Sequence, residues 1–264
     1  MRPVRLLAIA GSDSGGGAGI QADIKTASAL GAYAMTAITA VTAQDTTGVG
    51  SIHLVPAAIV SEQIERSLCD IGADAIKIGM LGSPEIATSV AETLQRHARG
   101  IPLVIDPVMV SSSGIALAGD AVMDVLKASL FPLASLITPN LPEAERLCGF
   151  SLQAGDELLR AGRLLLSLGP RAVLLKGGHG GSETLTDLLF TPDASPRAYI
   201  AKRIETEHTH GTGCTLATAI ACGLGEGLPL GDVIQRAHDF VQRAIRAAPG
   251  FGAGNGPIDH LQRG

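Results

Sequence analysis

Short apolar segments of strand length alternate with helix-forming segments along almost the whole chain. Residues 6–10 form a continuous apolar run that enters a glycine-rich loop, and a helix is predicted from about residue 20 to residue 30. Similar apolar runs, each ending in a polar or glycine-rich turn, occupy 35–43, 75–81, 102–105, 135–137 and 172–175. Because parallel strands must be joined by crossovers, which are usually helices, this alternation predicts an α/β fold with a mostly parallel central sheet and helices on both faces.

One pair of segments departs from this alternation. Residues 184–190 and 198–204 have strand character and are joined by a proline-containing turn, so they predict an antiparallel hairpin at an edge of the sheet. No linker, internal repeat or low-complexity tract divides the chain. We therefore expect a single domain over residues 1–264, with a three-layer α/β/α architecture.

Composition argues against several classes of partner. The chain has 264 residues, of which 46% are hydrophobic and 17% charged, and its net charge of −5 offers no basic surface for a nucleic acid. No apolar stretch is long enough to span a membrane, so no membrane partner is expected. The four cysteines form no Cys-x-x-Cys pair, and an α/β chain of this size needs no disulfide framework, which predicts a reducing, cytoplasmic setting.

Residues 208–215, His-Thr-His-Gly-Thr-Gly-Cys-Thr, lead into a run of small residues that predicts a helix. Gly211 and Gly213 let the backbone approach a ligand closely, and the N–H groups of the first helical turn, at the positive end of the helix dipole, favour an anion such as phosphate. Cys214 would lie in that first turn, where the dipole can lower the pKa of its thiol. The alternative is a glycine-rich connection whose cysteine only fills space.

Polar residues also follow the predicted strands, where parallel sheets place their binding sites. Phosphoryl transfer needs groups that neutralise phosphate charge and hold Mg²⁺. Asp106 and Glu143 are candidates for Mg²⁺ or its water shell, Asn140 for orienting a phosphate oxygen or a water, and Lys176 for reaching the phosphates. Each residue alone has a structural explanation, such as a turn or a helix start, but their joint occurrence predicts a phosphotransferase.

The first glycine-rich loop offers a competing interpretation. Residues 17–22 match the permissive dinucleotide-binding pattern, and Asp45 follows the next strand. We disfavour this interpretation because a dinucleotide fold turns directly from strand to helix, whereas here a longer loop begins at Gly11. No glycine loop has the Gly-x-x-x-x-Gly-Lys-Ser/Thr pattern of a P-loop. His179 and His210, which also lie in glycine loops, are predicted to be satisfied by backbone carbonyls rather than to contact a ligand.

Six motifs in a fixed order cover nearly the whole chain and lie at 10–13, 15–23, 77–81, 138–145, 176–179 and 209–215. In this combination they resemble the hydroxymethylpyrimidine/phosphomethylpyrimidine kinases of thiamine biosynthesis, which belong to the ribokinase-like superfamily. The resemblance implies a ribokinase-like fold and an ATP- and Mg²⁺-dependent enzyme that is usually a homodimer. Its substrates would be 4-amino-5-hydroxymethyl-2-methylpyrimidine and then the monophosphate of that pyrimidine, which becomes the diphosphate.

The resemblance also implies roles for individual residues. Asp23 and Gln44 would bind the edge of the aminopyrimidine, where Gln44 can donate to a ring nitrogen and accept from the exocyclic amine. Gly11 and Met80 would line the pyrimidine pocket. The remaining carried-over roles are an anion hole at Gly211, Thr212 and Gly213, phosphate or ATP contacts at Lys176, Asn140 and Thr212, and a Mg²⁺ shell that includes Asn140 and Glu143.

Two departures leave alternatives open. Cys214 stands where sugar kinases of the superfamily carry an aspartate base, a change shared with one class of pyridoxal kinases. A pyridoxal kinase on the same scaffold is therefore the alternative function. Some members of the family carry a lysine near the position of Ser112. This chain lacks that lysine, so the sequence does not predict how the site closes. A non-catalytic vitamin sensor is less favoured, because the candidate catalytic residues Asn140, Glu143, Lys176 and Cys214 are retained.

Overall fold

The structure is a computed structural model that describes residues 2–109, 119–152, 155–177 and 183–262. Within these residues, nine strands form one sheet. The strands are β1 (Arg5–Asp13), β2 (Tyr33–Gln44), β3 (Val49–Leu54), β4 (Ala75–Ile78), β5 (Leu103–Ile105), β6 (Leu136–Ile137), β7 (Val173–Leu175), β8 (Thr184–Phe190) and β9 (Arg197–Lys202). Their order across the sheet is β3-β2-β1-β4-β5-β6-β7-β8-β9.

Most of the helices lie between strands in the chain, as the alternation predicts, and the last two follow β9. They are α1 (Gly19–Ala29), α2 (Ala57–Arg66), α3 (Pro84–His97), α4 (Asp120–Val125), α5 (Leu141–Cys148), α6 (Asp156–Ser167), α7 (Thr212–Gly225) and α8 (Leu230–Arg246). None of these helices combines the length and the apolar character that a membrane crossing requires.

Six neighbouring strands pair in parallel, in the order β2, β1, β4, β5, β6 and β7, which confirms the predicted parallel centre of the sheet. The predicted hairpin of β8 and β9 is also confirmed, and β8 runs antiparallel to β7. A second antiparallel edge, where β3 pairs with β2, is not predicted by the sequence analysis. Nearly all residues of β3 are exposed, so this strand lacks the buried apolar pattern by which the other strands are recognised.

Two apolar cores enclose the sheet. Helices α2 to α6 pack on one face and α1, α7 and α8 on the other, which gives the predicted three layers. In β4, Ile76 and Ile78 enter the first core while Ala75 enters the second, because successive side chains of a strand point to opposite faces. The same alternation directs Lys77 toward the face covered by α1 and α7.

Gly162 lies in α6, where this helix packs against the sheet. A Cβ at this position would overlap the ring of Phe190 in β8. In an exposed helix, Gly→Ala is stabilising, but here we expect Gly162→Ala to lower the free energy of unfolding by about 1–3 kcal/mol, because overpacking costs more than helix propensity gains. Urea denaturation would measure this. The control is Gly50→Ala, whose added Cβ would meet only an ordinary contact on exposed β3. Equal stability of the two variants would contradict the prediction.

Candidate active site

A cavity of about 780 Å³ opens at the carboxyl ends of the parallel strands. This is the position at which open α/β sheets bind ligands. All but one of the residues predicted for the site line the cavity. They are Gly11, Gln44, Met80, Asp106, Asn140, Glu143, Lys176, Gly211, Thr212, Gly213 and Cys214.

The start of α7 forms one wall of this cavity. Gly211 precedes the helix with φ +87°, and a Cβ there would overlap the carbonyl oxygen of Gly17, so the turn requires glycine. Thr212 donates its N–H to Thr209, but the N–H groups of Gly213 and Cys214 have no acceptor among the described residues. The predicted turn and helix are therefore present, with backbone donors available at the positive end of the helix.

Lys176 stands opposite this helix start. Its Nζ lies 2.8 Å from Asp106 Oδ1, and the hydroxyl of Thr138 donates to the same oxygen over 3.0 Å. A Cβ at Gly213 would lie 3.3 Å from Asp106 Oδ2 and 3.4 Å from Nζ, so the helix start lies directly against this ion pair. Burial by itself would lower the pKa of Lys176, but the carboxylates of Asp106 and Glu143 raise it, which keeps the side chain cationic.

Asn140 and Glu143 form a reciprocal cap at the start of α5. Asn140 Oδ1 accepts the N–H of Glu143 over 2.9 Å, and Glu143 Oε2 accepts the N–H of Asn140 over 2.8 Å. Burial raises the pKa of Glu143 to about 7, with Lys176 opposing this shift and Asp106 adding to it. The helix-start explanation for Glu143 is thus confirmed, Asn140 is the residue that caps the helix, and the cap fixes the Glu143 carboxyl group at the cavity wall.

The described residues contain no group of three or more His, Cys, Asp or Glu side chains arranged to hold a metal ion. Asp106 and Glu143 nevertheless bring two carboxyl groups to the same cavity. This donor set fits the way in which Mg²⁺ is commonly bound in phosphotransferases, through one or two carboxylates together with water and substrate phosphates.

Cys214 lies in the first turn of α7, as predicted, but the expectation of a lowered thiol pKa is wrong. Burial raises the pKa of Cys214 to about 11. Lys77 acts in the opposite direction, whereas the carboxylates of Asp23 and Asp106 disfavour a further negative charge. The helix dipole is therefore outweighed, and the thiol is neutral at physiological pH.

Gln44 and Met80 lie at the other end of the cavity. Gln44 ends β2, and its side chain reaches Thr42 and His210 at 3.3 and 3.4 Å. A Cβ at Gly11 would lie 3.2 Å from Met80 Sδ, so glycine at this position leaves room for the methionine. An amide beside an apolar wall is suited to a flat, polar-edged ring.

Asp23 is the predicted site residue that does not line the cavity. It is fully buried in α1, and its two carboxylate oxygens both lie 2.9 Å from Lys77 Nζ. The hydroxyl of Thr218 in α7 donates to Oδ1 over 2.7 Å. With these partners the carboxylate is already neutralised, so the geometry does not favour its predicted contact with a ligand.

Sequence analysis did not assign a role to Lys77. The lysine is 0% exposed, in a strand whose other residues are apolar, and the carboxylate of Asp23 keeps it charged against the effect of burial. A single lysine within an apolar strand is a sequence signal for a buried ion pair, because lysine is almost never fully buried without a partner. The partner itself could not be identified, since it lies 54 residues away in the chain.

The first glycine-rich loop is organised by Asp13, which sequence analysis also missed. Its carboxylate accepts N–H groups from Gly15, Gly17 and Ala18 and lies 2.9 Å from His210 Nε2. The prediction that backbone carbonyls satisfy His210 is therefore wrong for this ring nitrogen, which faces a carboxylate. His179 and Ser112 lie outside the described residues.

Comparison with known sequences identifies the family. The profile of the phosphomethylpyrimidine kinase family matches residues 13–259. The chain belongs to this family. A hydroxymethylpyrimidine/phosphomethylpyrimidine kinase of Mycobacterium tuberculosis is 46% identical over all of this chain and 96% of its own length. The bifunctional thiamine biosynthesis protein ThiED of Geobacter sulfurreducens is 47% identical over 97% of this chain, which spans only 52% of that longer protein.

Solved structures confirm the ribokinase-like fold of this phosphomethylpyrimidine kinase family member. The phosphomethylpyrimidine kinase of Clostridium difficile superimposes with a TM-score of 0.81 at 41% identity, over 92% of this chain and 99% of that one. A pyridoxal kinase of Staphylococcus aureus, in complex with AMP-PCP and pyridoxal, gives a TM-score of 0.90 at 31% identity, over 99% of this chain and 94% of that one. Both enzymes share the scaffold, so overall shape does not separate their substrates.

The buried pair of Lys77 and Asp23 leads to a stability prediction. Lys77→Met leaves the Asp23 carboxylate buried without a counter-charge, and we expect the free energy of unfolding to fall by about 3–5 kcal/mol. The double variant Lys77→Met/Asp23→Leu should recover most of this loss, because neither charge then remains. Urea denaturation of both variants would measure the difference.

Arg66→Met is the matched control. It breaks the exposed Arg66–Glu62 pair, whose side chains are 79% and 52% exposed, and should leave the unfolding midpoint nearly unchanged. If Lys77→Met were as stable as this control, the pair would have no role in the fold.

Proposed function

We propose that this protein transfers a phosphoryl group from ATP to 4-amino-5-hydroxymethyl-2-methylpyrimidine and then to the resulting monophosphate. The observation that carries the proposal is one cavity that joins two kinds of wall. One wall has a helix start and a lysine, which suit phosphates, and the other has an amide and a methionine, which suit an aminopyrimidine ring. Family membership supports the same assignment.

At the phosphate wall, the N–H groups of Gly213 and Cys214 and the ammonium group of Lys176 would bind oxygens of the transferred phosphoryl group. These donors are already fixed by the start of α7 and by Asp106, so little reorganisation is needed when charge develops. Asp106 and Glu143 would hold Mg²⁺, which neutralises phosphate charge when bound. Asn140 and Thr212, beside these groups in the cavity, would contact ATP.

At the pyrimidine wall, Gln44 would pair with the ring nitrogen and the exocyclic amine, and Met80 would pack against the ring. Cys214 lines the same cavity from the first turn of α7 and presents a neutral thiol. A neutral group at this position tolerates both acceptors, because the alcohol brings no charge whereas the monophosphate arrives as an anion.

Phosphorylation of pyridoxal is the second candidate function. It is kept as a candidate because the pyridoxal kinases of Bacillus subtilis and Staphylococcus aureus share this scaffold, with TM-scores of 0.89 and 0.90. Identities of 32% and 31% to these enzymes are lower than the 46% to the mycobacterial pyrimidine kinase, which supports the pyrimidine as the main substrate. A sensor without turnover would bind the pyrimidine but leave ATP unconsumed.

One assay distinguishes these functions. The protein is incubated with Mg²⁺-ATP and either the hydroxymethyl pyrimidine or pyridoxal, and the products are separated over time. We expect the pyrimidine monophosphate to appear first and the diphosphate later, with pyridoxal phosphorylated at least about tenfold more slowly by kcat/KM, a difference of about 1.4 kcal/mol. Faster turnover of pyridoxal, or no turnover of either compound, would contradict the proposal.

The neutral state of Cys214 predicts how a charged replacement behaves. Cys214→Asp would place a carboxylate beside the acceptor, and at ~4 Å with an effective dielectric constant of ~20 the repulsion of a phosphate is about 4 kcal/mol before Mg²⁺ offsets part of it. We expect kcat/KM to fall about 10- to 100-fold more for the second phosphorylation than for the first, so the monophosphate should accumulate. Cys214→Ser, which is neutral and similar in size, is the control and should affect both steps alike.

The remaining predictions concern assembly and location. The described strands form one sheet, which supports a single domain over residues 1–264. We infer a homodimer from the family resemblance, and sedimentation velocity would measure its mass. A cytoplasmic location follows from the cysteine pattern, and cell fractionation would check it.

A further inference from the structure

Asp13 and His210 form a buried pair at the edge of the cavity. Asp13 is 3% exposed and His210 is 6% exposed. The carboxylate already accepts N–H groups from Gly15, Gly17 and Ala18 at 2.8 to 3.0 Å. Burial alone would raise the pKa of Asp13, but the hydrogen bond from His210 and those from the loop lower it below its usual value. Asp13 is therefore ionised and can only accept hydrogen bonds.

The ionised carboxylate determines the protonation of the neighbouring ring. His210 Nε2 lies 2.9 Å from Asp13 Oδ2, and this contact is favourable only if Nε2 carries a proton. The Nε2 proton is then present in both the neutral and the charged form of the ring. His210 Nε2 is consequently a fixed donor that cannot accept a hydrogen bond from another group.

This fixed donor affects the orientation of the Gln44 amide. With Nε2 of Gln44 directed at His210 Nε2, two donors face each other across 3.4 Å. In the same orientation Gln44 Oε1 faces Thr42 Oγ1 at 3.3 Å, although the Thr42 hydroxyl proton is taken by the closer carbonyl oxygen of Ser12 at 2.9 Å. Rotating the amide by half a turn lets Nε2 donate to Thr42 Oγ1 and places the acceptor Oε1 beside the His210 N–H, whose proton goes mainly to the closer Asp13. The positions of the His210 and Thr42 protons therefore favour the orientation of the Gln44 amide in which Oε1 faces His210 and Nε2 faces Thr42.

We propose that the Asp13–His210 pair is a positioning device that fixes which way the Gln44 amide faces, and thereby sets the donor and acceptor order read on the substrate ring. This inference rests on the proposed function, because Gln44 must contact the ring. A substrate edge would then place its amine on the His210 side, near Oε1, and its unprotonated ring nitrogen on the Thr42 side, near Nε2.

The orientation has a consequence for specificity. An aminopyrimidine presents an amine donor beside a nitrogen acceptor, which matches the oriented amide. The corresponding 4-oxo pyrimidine presents a carbonyl acceptor beside a ring N–H donor, so both contacts are reversed. A site built to satisfy one pattern discriminates strongly against the reverse pattern, because polar groups are then left unpaired.

The test compares kcat/KM for the 4-amino and 4-oxo hydroxymethyl pyrimidines. We expect the unmodified enzyme to prefer the amino compound by about 100-fold or more. His210→Phe keeps a ring but removes the donor, and should reduce this preference to about tenfold or less, with KM for ATP unchanged. His210→Gln retains an N–H that can reach Asp13, and should keep the preference within about threefold of the unmodified enzyme.

A double-variant comparison separates positioning from a purely structural role. In the Gln44→Leu background no amide remains to be oriented, so adding His210→Phe should leave the preference unchanged. An equal effect of His210→Phe with and without Gln44 would overturn the inference, since the histidine would then act through the loop alone. The same holds if His210→Phe leaves the preference intact, or if His210→Gln loses as much as His210→Phe.

A second measurement reads the protonation of His210 directly in the unmodified enzyme. In protein labelled with ¹⁵N-histidine, the ring nitrogens report which of them carries a proton, and the His210 signals are assigned by their loss in His210→Gln. A protonated Nε2 is expected, and a bare Nε2 would overturn the inference. If the unmodified enzyme phosphorylates both pyrimidines equally well, the inference fails while the proposed function stands. If it phosphorylates neither compound, the proposed function fails and the inference fails with it.

Discussion

The architecture of the site depends on the pairing of charges that the fold buries beneath the cavity. Lys77 and Asp23 neutralise each other between the sheet and the helices α1 and α7, and Lys176 and Asp106 do so at the cavity floor. Each charge alone would cost several kcal/mol to remove from water. Because Asp23 belongs to α1 and also accepts a hydrogen bond from Thr218 in α7, the first pair fixes where both helices sit on the sheet, and hence where the start of α7 points.

The same charges set the chemistry of Cys214. A thiol in the first turn of a helix is often acidic, yet here burial and two nearby carboxylates raise its pKa to about 11. The consequence is a neutral acceptor site beside a cationic lysine. This combination suits an enzyme that handles an uncharged alcohol and an anionic monophosphate in one cavity, and it explains how a cysteine can occupy a position where an aspartate would repel the second substrate.

The glycines of the site have a different function from the charged residues, since they permit close approach. Gly211 approaches the Gly17 carbonyl so closely that a Cβ would collide with it, and a Cβ at Gly213 would lie against Asp106 and Lys176. Asp13 then organises the first loop by accepting three of its N–H groups. The Asp13 carboxylate in turn holds His210 at the edge of the cavity, which links the start of α7 to Gln44.

Apart from the exposed strand β3, sequence alone determined the order of strands and helices, the turns that need glycine and the polar residues at strand ends, because these depend on local periodicity and backbone sterics. It located Gly213, Lys176 and Gln44 around one cavity. Only the tertiary structure decided that Asp23 pairs with Lys77 and that Asp13, 197 residues from His210, faces its ring. The physical reason is that burial and charge pairing arise between distant segments, so they follow from packing and not from any local pattern.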